Sequence, residues 1–155
     1  MPATLVYRKT ALAVILSVQL MLAMDFLIVI VSLKNIQVDL GFTAANLSWI
    51  PNALALAFGG LLLLGGRLGD IIGQVKAFQI GLVIFVLASL AGGLAPTPAV
   101  LIIARVFQGI GSALAAPSVL ALISILARNE DERYHGLSLF NAISAIGASF
   151  GLIVG

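Results

Sequence analysis

From Leu47 to Gly66 the chain carries no charged side chain. A soluble fold cannot keep such a run wet, whereas a helix crossing the hydrocarbon core of a bilayer needs about 20 mostly apolar residues. The pattern recurs along the chain. Residues 11–33, between Arg8-Lys9 and Lys34, hold one charge, Asp25. Residues 77–95 and 134–155 hold no Asp, Glu, Lys or Arg, and residues 99–127 hold only Arg105. Pro96 and Pro98 lie too close together to continue a helix, so they mark a short turn between two runs. The expected fold is therefore all-α and integral to the membrane, with five transmembrane helices in a single membrane domain.

Composition excludes the alternatives. Only 9% of residues are charged and the mean hydropathy is +1.19, against about a quarter charged in a soluble domain. A soluble enzyme and a disordered tail are ruled out. Nucleic acid is not an expected partner, because the net charge is only +2 and no basic run occurs. With no Cys there is no disulfide framework and no thiolate metal or redox site. No nucleotide-binding loop, metal-ligand spacing or nucleophile triad is found, so neither enzymatic activity nor a cofactor is expected. The first apolar run is too long for a cleaved signal peptide. The partner implied throughout is the lipid bilayer.

Lys and Arg accumulate in cytoplasmic segments, which sets the orientation. With the amino terminus inside, the inner segments hold Arg8, Lys9, Arg67, Lys76, Arg128 and Arg133, and the outer ones hold Lys34. Tyr7 and Tyr134 then fall at inner boundaries and Trp49 at an outer one, where interfacial rings prefer to sit. A multi-pass protein of the cell membrane with a cytoplasmic amino terminus is expected.

Asp25 and Arg105 are the two charged side chains inside these runs. Each costs roughly 2.5–3.5 kcal/mol to insert, so such groups face a bundle interior or a water cavity. A rise of about 1.5 Å per residue puts Asp25 roughly 24 Å above the inner flank at Lys9, and Arg105 roughly 10 Å below the outer turn at Pro98. In a core about 30 Å thick the two lie within one helical turn of the same level. An ion pair is allowed, and Gln108, three residues after Arg105 on the same face, is placed to join it. One reading is that the charges only neutralise each other and hold two helices together. The other is that Asp25 exchanges a proton as the pair is made and broken.

Glycines recur every fourth residue at Gly65, Gly69 and Gly73 and at Gly147, Gly151 and Gly155, with Gly109, Gly111 and Ala113 on the fourth span. Small residues at such spacing let helices approach closely. The expectation is a set of flat stripes at helix contacts.

Four segments in order carry a family resemblance. They are Met24-Asp25-Phe26 with Ile28-Val29 and Leu33; Gly66-Arg67-Leu68-Gly69-Asp70-Ile71-Ile72-Gly73; Leu101 through Arg105-Val106-Phe107-Gln108-Gly109-Ile110-Gly111 to Ala113; and Gly147-Ala148-Ser149-Phe150-Gly151 with Gly155. From about Met24 onward the chain resembles the amino-terminal part of a major facilitator superfamily transporter, in the fourteen-span drug:proton antiporter branch.

The resemblance implies proton-coupled export of lipophilic or cationic drugs, with Asp25, Arg105 and Gln108 at the proton-coupling site and substrate cavity. It assigns Gly66, Asp70, Gly73 and Lys76 to a cytoplasmic loop motif between spans two and three. Gly109, Gly111, Gly147, Gly151 and Gly155 are assigned to helix packing. The chain departs from the usual pattern at Leu27, Ile30 and Lys34, at Leu152, and at Ile71, Gln74 and Val75, where the loop motif usually has basic residues.

Such transporters place substrate between two halves. The chain is therefore expected to be an amino-terminal fragment that does not transport alone, with protons and a small-molecule substrate as partners once a carboxyl-terminal half is supplied. The alternatives are a small oligomeric transporter and a non-transporting membrane protein that binds a partner helix bundle.

Overall fold

The computed structural model describes residues 2–154, with side chains from 7 to 153, and all regular structure among the described residues is helical. Helix α1 spans Pro2–Leu40, α2 Ala44–Leu47, α3 Trp49–Ile72, α4 Gln74–Gly93, α5 Pro98–Leu126 and α6 Glu130–Val154. Every one except the single-turn α2 is long and apolar enough to cross a membrane. Large apolar side chains such as Leu56, Leu63, Leu87, Ile103 and Ile125 point outward, which only a bilayer tolerates on this scale. The protein is an all-α integral membrane protein.

Local chemistry sets the ends. Thr43 and Thr97 cap α2 and α5, their side chains accepting from the backbone N–H of Asn46 and Val100. Pro98 follows Thr97 at the start of α5, where its missing N–H costs nothing. Asn129 Oδ1 accepts from the Glu132 N–H at 2.8 Å, and the acids Glu130, Asp131 and Glu132 complement the positive end of α6. At the other end of α5, the Arg8 guanidinium donates to the Leu126 carbonyl and to Glu132 Oε2 at 2.6 Å. One cation thereby satisfies a helix carboxyl terminus and joins α1, α5 and α6.

The helices overrun the expected spans. Helix α1 continues past 33 to Leu40, since no helix breaker occurs before Gly41, whose φ is +68°. Helix α3 continues past 66 to Ile72, and α4 begins at Gln74. The segment expected as a cytoplasmic loop is therefore mostly helix. Its only break is Gly73, with a φ of +96° that side chains rarely adopt. Residues 128–133, read from their charges as a loop, likewise already enter α6 at Glu130.

Helix α5 is the most buried of the long helices and packs against α3 and α4 along its length, while α1 pairs with α6. The two groups meet chiefly along α1 and α5. One apolar cluster gathers Ile15, Leu16 and Val18 with Phe78, Val119 and Ile123; another gathers Val29, Phe42, Ile50 and Leu101. On α1 and α5 alike, a layer of polar side chains lies between these clusters.

Candidate functional site

Asp25 lies on α1 between Val18 and Val29 of the two clusters, and Arg105 and Gln108 lie on α5 between Leu101 and Val119. Arg105 Nη1 donates to Asp25 Oδ2 at 2.9 Å. Gln108 Nε2 donates to Asp25 Oδ1 at 3.2 Å and to Ser89 Oγ, on α4, at 2.7 Å. The amide orientation follows from chemistry, because an ionised carboxylate accepts only and must face the NH2 group. Arg105 and Gln108 are buried at 7% and 2% exposure, while the Asp25 side chain keeps 19%. The carboxylate is thus the member of the cluster nearest an opening. The depth argument from sequence brought Asp25, Arg105 and Gln108 to one level, and the structure brings them into contact.

That opening is a cleft of about 360 Å³ lined by Asp25, Gln19, Phe26, Phe58, Phe85 and Ser112. Three rings and one charge-paired acid describe a site for a mostly apolar molecule with a few polar groups that orient it. A pocket of about 470 Å³ near Arg8, Glu132 and His135 lies at the far end of α1 and α5, away from the acid–guanidinium pair. Both buried partners keep unspent capacity: Arg105 Nε and Gln108 Oε1 have no hydrogen-bond partner.

Sequence reasoning did not single out Ser89, Gln19 or Ser144. Gln19 Nε2 donates to Ser144 Oγ at 3.0 Å and so links α1 to α6. A serine inside an apolar run reads as a packing residue, and only its neighbours across the bundle give it a role.

The glycines divide differently from their spacing. Beta-carbons built on Gly109 would come within 2.6 Å of the Leu54 carbonyl, and on Gly111 within 2.7 Å of the Gly81 carbonyl. These two residues therefore face different neighbours, α3 and α4. Gly147 and Gly151 face α1, at 2.9 Å from Ala23 Cβ and 3.0 Å from Leu27 Cβ. Gly155 lies outside the described residues. The stripe expected at Gly65, Gly69 and Gly73 does not act as one surface. Gly65 abuts the Ala113 carbonyl, Gly69 abuts the Gln74 side chain, and Gly73 is open and turns the chain. Pro117 explains the first of these contacts. It lacks the N–H that Ala113 would receive in an unbroken helix, so that carbonyl is free to meet a glycine Cα–H.

In the segment expected as the loop motif, Asp70 Oδ1 accepts from Gln74 Nε2 at 3.0 Å. A neutral amide thus stands where the motif usually has a cation. Gly66 lies inside α3 with Pro117 Cβ 3.8 Å from where its side chain would begin, and Lys76 is exposed in the first turn of α4.

The family model described as Major Facilitator Superfamily matches residues 15–155. The chain belongs to the Major Facilitator Superfamily. Relatives include the puromycin resistance protein pur8 of Streptomyces alboniger, 44% identical over 148 residues, which are 96% of this chain and 29% of that protein. The cephamycin export protein CmcT of Amycolatopsis lactamdurans is 39% identical over 94% of this chain and 30% of its own length. The methylenomycin A resistance protein of Streptomyces coelicolor is 39% identical over 87% of this chain and 28% of its own length. The chain spans less than a third of each of these relatives. As a major facilitator sequence it places its polar cluster where two helix groups meet, beside a cleft lined with aromatic rings.

Proposed function

We propose that the chain forms one wall of a proton-coupled exporter of lipophilic or cationic organic molecules in the cell membrane, with Asp25 as the coupling carboxylate. The observation that carries this reading is the buried Asp25–Arg105 pair across the junction of the α1/α6 group with the α3/α4/α5 group, open to a cleft on one side. The names of the relatives, which speak of antibiotic resistance and export, support the substrate class.

The chemistry follows from how the carboxylate is held. Each Asp25 oxygen already accepts one bond, from Arg105 on Oδ2 and from Gln108 on Oδ1. A proton arriving at either oxygen turns an acceptor into a donor facing another donor, and that contact breaks. A carboxylate left alone in low dielectric takes up a proton, and a guanidinium brought beside it drives the proton off. Proton binding therefore weakens the contact between the two helix groups, because at most one of the two bonds survives it. A cationic molecule at the cleft competes for the same negative charge, which gives exchange of proton for substrate. Arg105 and Gln108 act as the partners that Asp25 leaves and rejoins. Gln108, tied to Ser89, passes the change to α4.

Transport is proposed for the assembled transporter to which this wall contributes, and the intact mass of the protein from its native host, set against 16.0 kDa, fixes what that assembly contains. The coupling is tested by adding substrate to purified protein in weakly buffered detergent. Proton release is expected from the parent and none from Asp25→Asn; equal release from both would refute the assignment.

The amino terminus is proposed to be cytoplasmic. Because the sequence has no Cys, single cysteines at Lys34 or Thr97 are expected to react with an impermeant thiol reagent from outside, and those at Gln74 or Asn129 only from inside. The opposite pattern would invert the orientation.

A further inference from the structure

Gln19 is an intramembrane polar side chain that takes no part in the proposed proton exchange between Asp25 and its partners. Gln19 is on α1, six residues before Asp25 and so roughly 9 Å nearer the amino-terminal end along the axis. Ser144 donates its own hydroxyl to the Phe140 carbonyl at 2.8 Å, so it meets Gln19 as an acceptor and takes the amide NH2. The Gln19 carbonyl oxygen is thereby turned away from Ser144, and it is buried without a partner. A buried acceptor left unmade is costly, so it is kept only where something else engages it.

Position says what that is. Gln19, Phe58 and Ala116 line both the cleft at Asp25 and a second cleft of about 640 Å³ that reaches Arg67 and Asp70 near the end of α3. These three residues are the common wall of the two clefts, and Gln19 is the one with hydrogen-bonding capacity.

We infer that Gln19 is a specificity-determining residue, whose side-chain carbonyl accepts a hydrogen bond from an O–H or N–H group on an organic cation lodged between Phe26, Phe58 and Phe85. The inference rests on the proposed reading of the Asp25 cleft as a substrate site. The oxygen is covered in this conformation, so the ligand's donor engages it after the amide plane turns about its last torsion and Nε2 leaves Ser144. Arg67 and Asp70 at the far end of the second cleft are both exposed, and water competes for their hydrogen bonds. The Gln19 carbonyl oxygen is screened from water, so selection by a single donor group is strongest there.

The test uses two probes that differ by one donor, tetraphenylphosphonium and its analogue with one para-hydroxyl, bound to the chain in lipid nanodiscs. The parent is expected to bind the hydroxylated probe about fivefold more tightly, the value of one ordinary hydrogen bond. Gln19→Met is expected to bring the ratio of the two affinities to about one; Gln19→Ala reads the same ratio if the methionine variant folds poorly. Ser144→Ala loses the interhelical bond but keeps the acceptor, so the preference is expected to persist. A ratio of one in the parent, or a fivefold ratio surviving in Gln19→Met, overturns the inference while leaving the cleft reading intact. Failure of the parent to bind tetraphenylphosphonium removes the cleft reading and the inference with it. Equal loss of heat resistance in Gln19→Met and Ser144→Ala with no change in the ratio would reduce Gln19 to a packing contact, and would also overturn the inference.

Discussion

Two seams hold this bundle together, and they are built from opposite materials. Along α5 against α3 and α4, glycines bring backbone onto backbone: Gly65 on Ala113, Gly81 on Gly111, Gly109 on Leu54. Where α1 and α6 meet α5, contact is sparser: apolar clusters around Val18 and Val29 flank long polar side chains, Arg8 at one end and Arg105 with Gln108 in the middle, and the cleft at Asp25 lies beside them. Close-packed backbone has few alternative arrangements, whereas ion pairs between side chains can part and re-form at little cost in packing. The first seam makes a rigid unit. The second is where motion and chemistry can be coupled.

Glycine-to-alanine substitutions break this comparison most directly. Gly65→Ala and Gly111→Ala each drive a β-carbon into backbone that cannot yield, so a loss of about 3 kcal/mol is expected from overpacking. Gly147→Ala and Gly151→Ala meet their nearest atoms less closely, Ala23 Cβ at 2.9 Å and Leu27 Cβ and the Met24 carbonyl at 3.0 Å, so the expected loss is about 1–2 kcal/mol. Gly151→Leu is expected to lower the yield of folded protein further. Thermal midpoints of the four alanine variants in one detergent check the order, and equal losses would make the α1–α6 contact as unyielding as that of α5 with α3 and α4.

A finer cut concerns Ser89, which among the described residues carries the second seam's polar network across into α4. Ser89→Ala leaves a Gln108 N–H without its 2.7 Å acceptor, so a loss of about 1 kcal/mol is expected. The extent of substrate-induced proton release is expected to change as well, since Gln108 would then be freer to turn on Asp25. Loss of stability with unchanged proton release would confine Ser89 to packing.

Much of the first seam and half of the second could be read from the sequence. The apolar runs gave the helices, and the rise per residue placed Asp25 and Arg105 at one level. The helices extend beyond the apolar runs because bilayer thickness limits the apolar run and not the helix. Arg67 and Asp70 are good enough helix residues to carry α3 beyond the core, and only a glycine with positive φ ends it. A repeat of four predicted one glycine surface at Gly65, Gly69 and Gly73, yet Pro117 on another helix decides what Gly65 touches. Gly81, Ser89, Gln19 and Ser144 were illegible for one reason: each has its meaning in a neighbour that sequence distance hides, Ser144 standing 125 positions from Gln19.

The central claim is that the Asp25–Arg105 pair works in transport and does not merely hold α1 to α5. Export driven by a pH gradient, measured in everted vesicles from cells expressing the full reading frame, separates the two. Asp25→Asn keeps shape and hydrogen bonding but cannot carry the proton, so export is expected to stop. Arg105→Lys keeps charge but loses the planar fork, so export is expected to fall. The decisive variant is Asp25→Asn with Arg105→Gln, which removes both charges and leaves no buried ion unpaired. The account predicts that this double variant is folded and abundant yet exports nothing against the gradient; recovery of gradient-driven export in it would contradict the account.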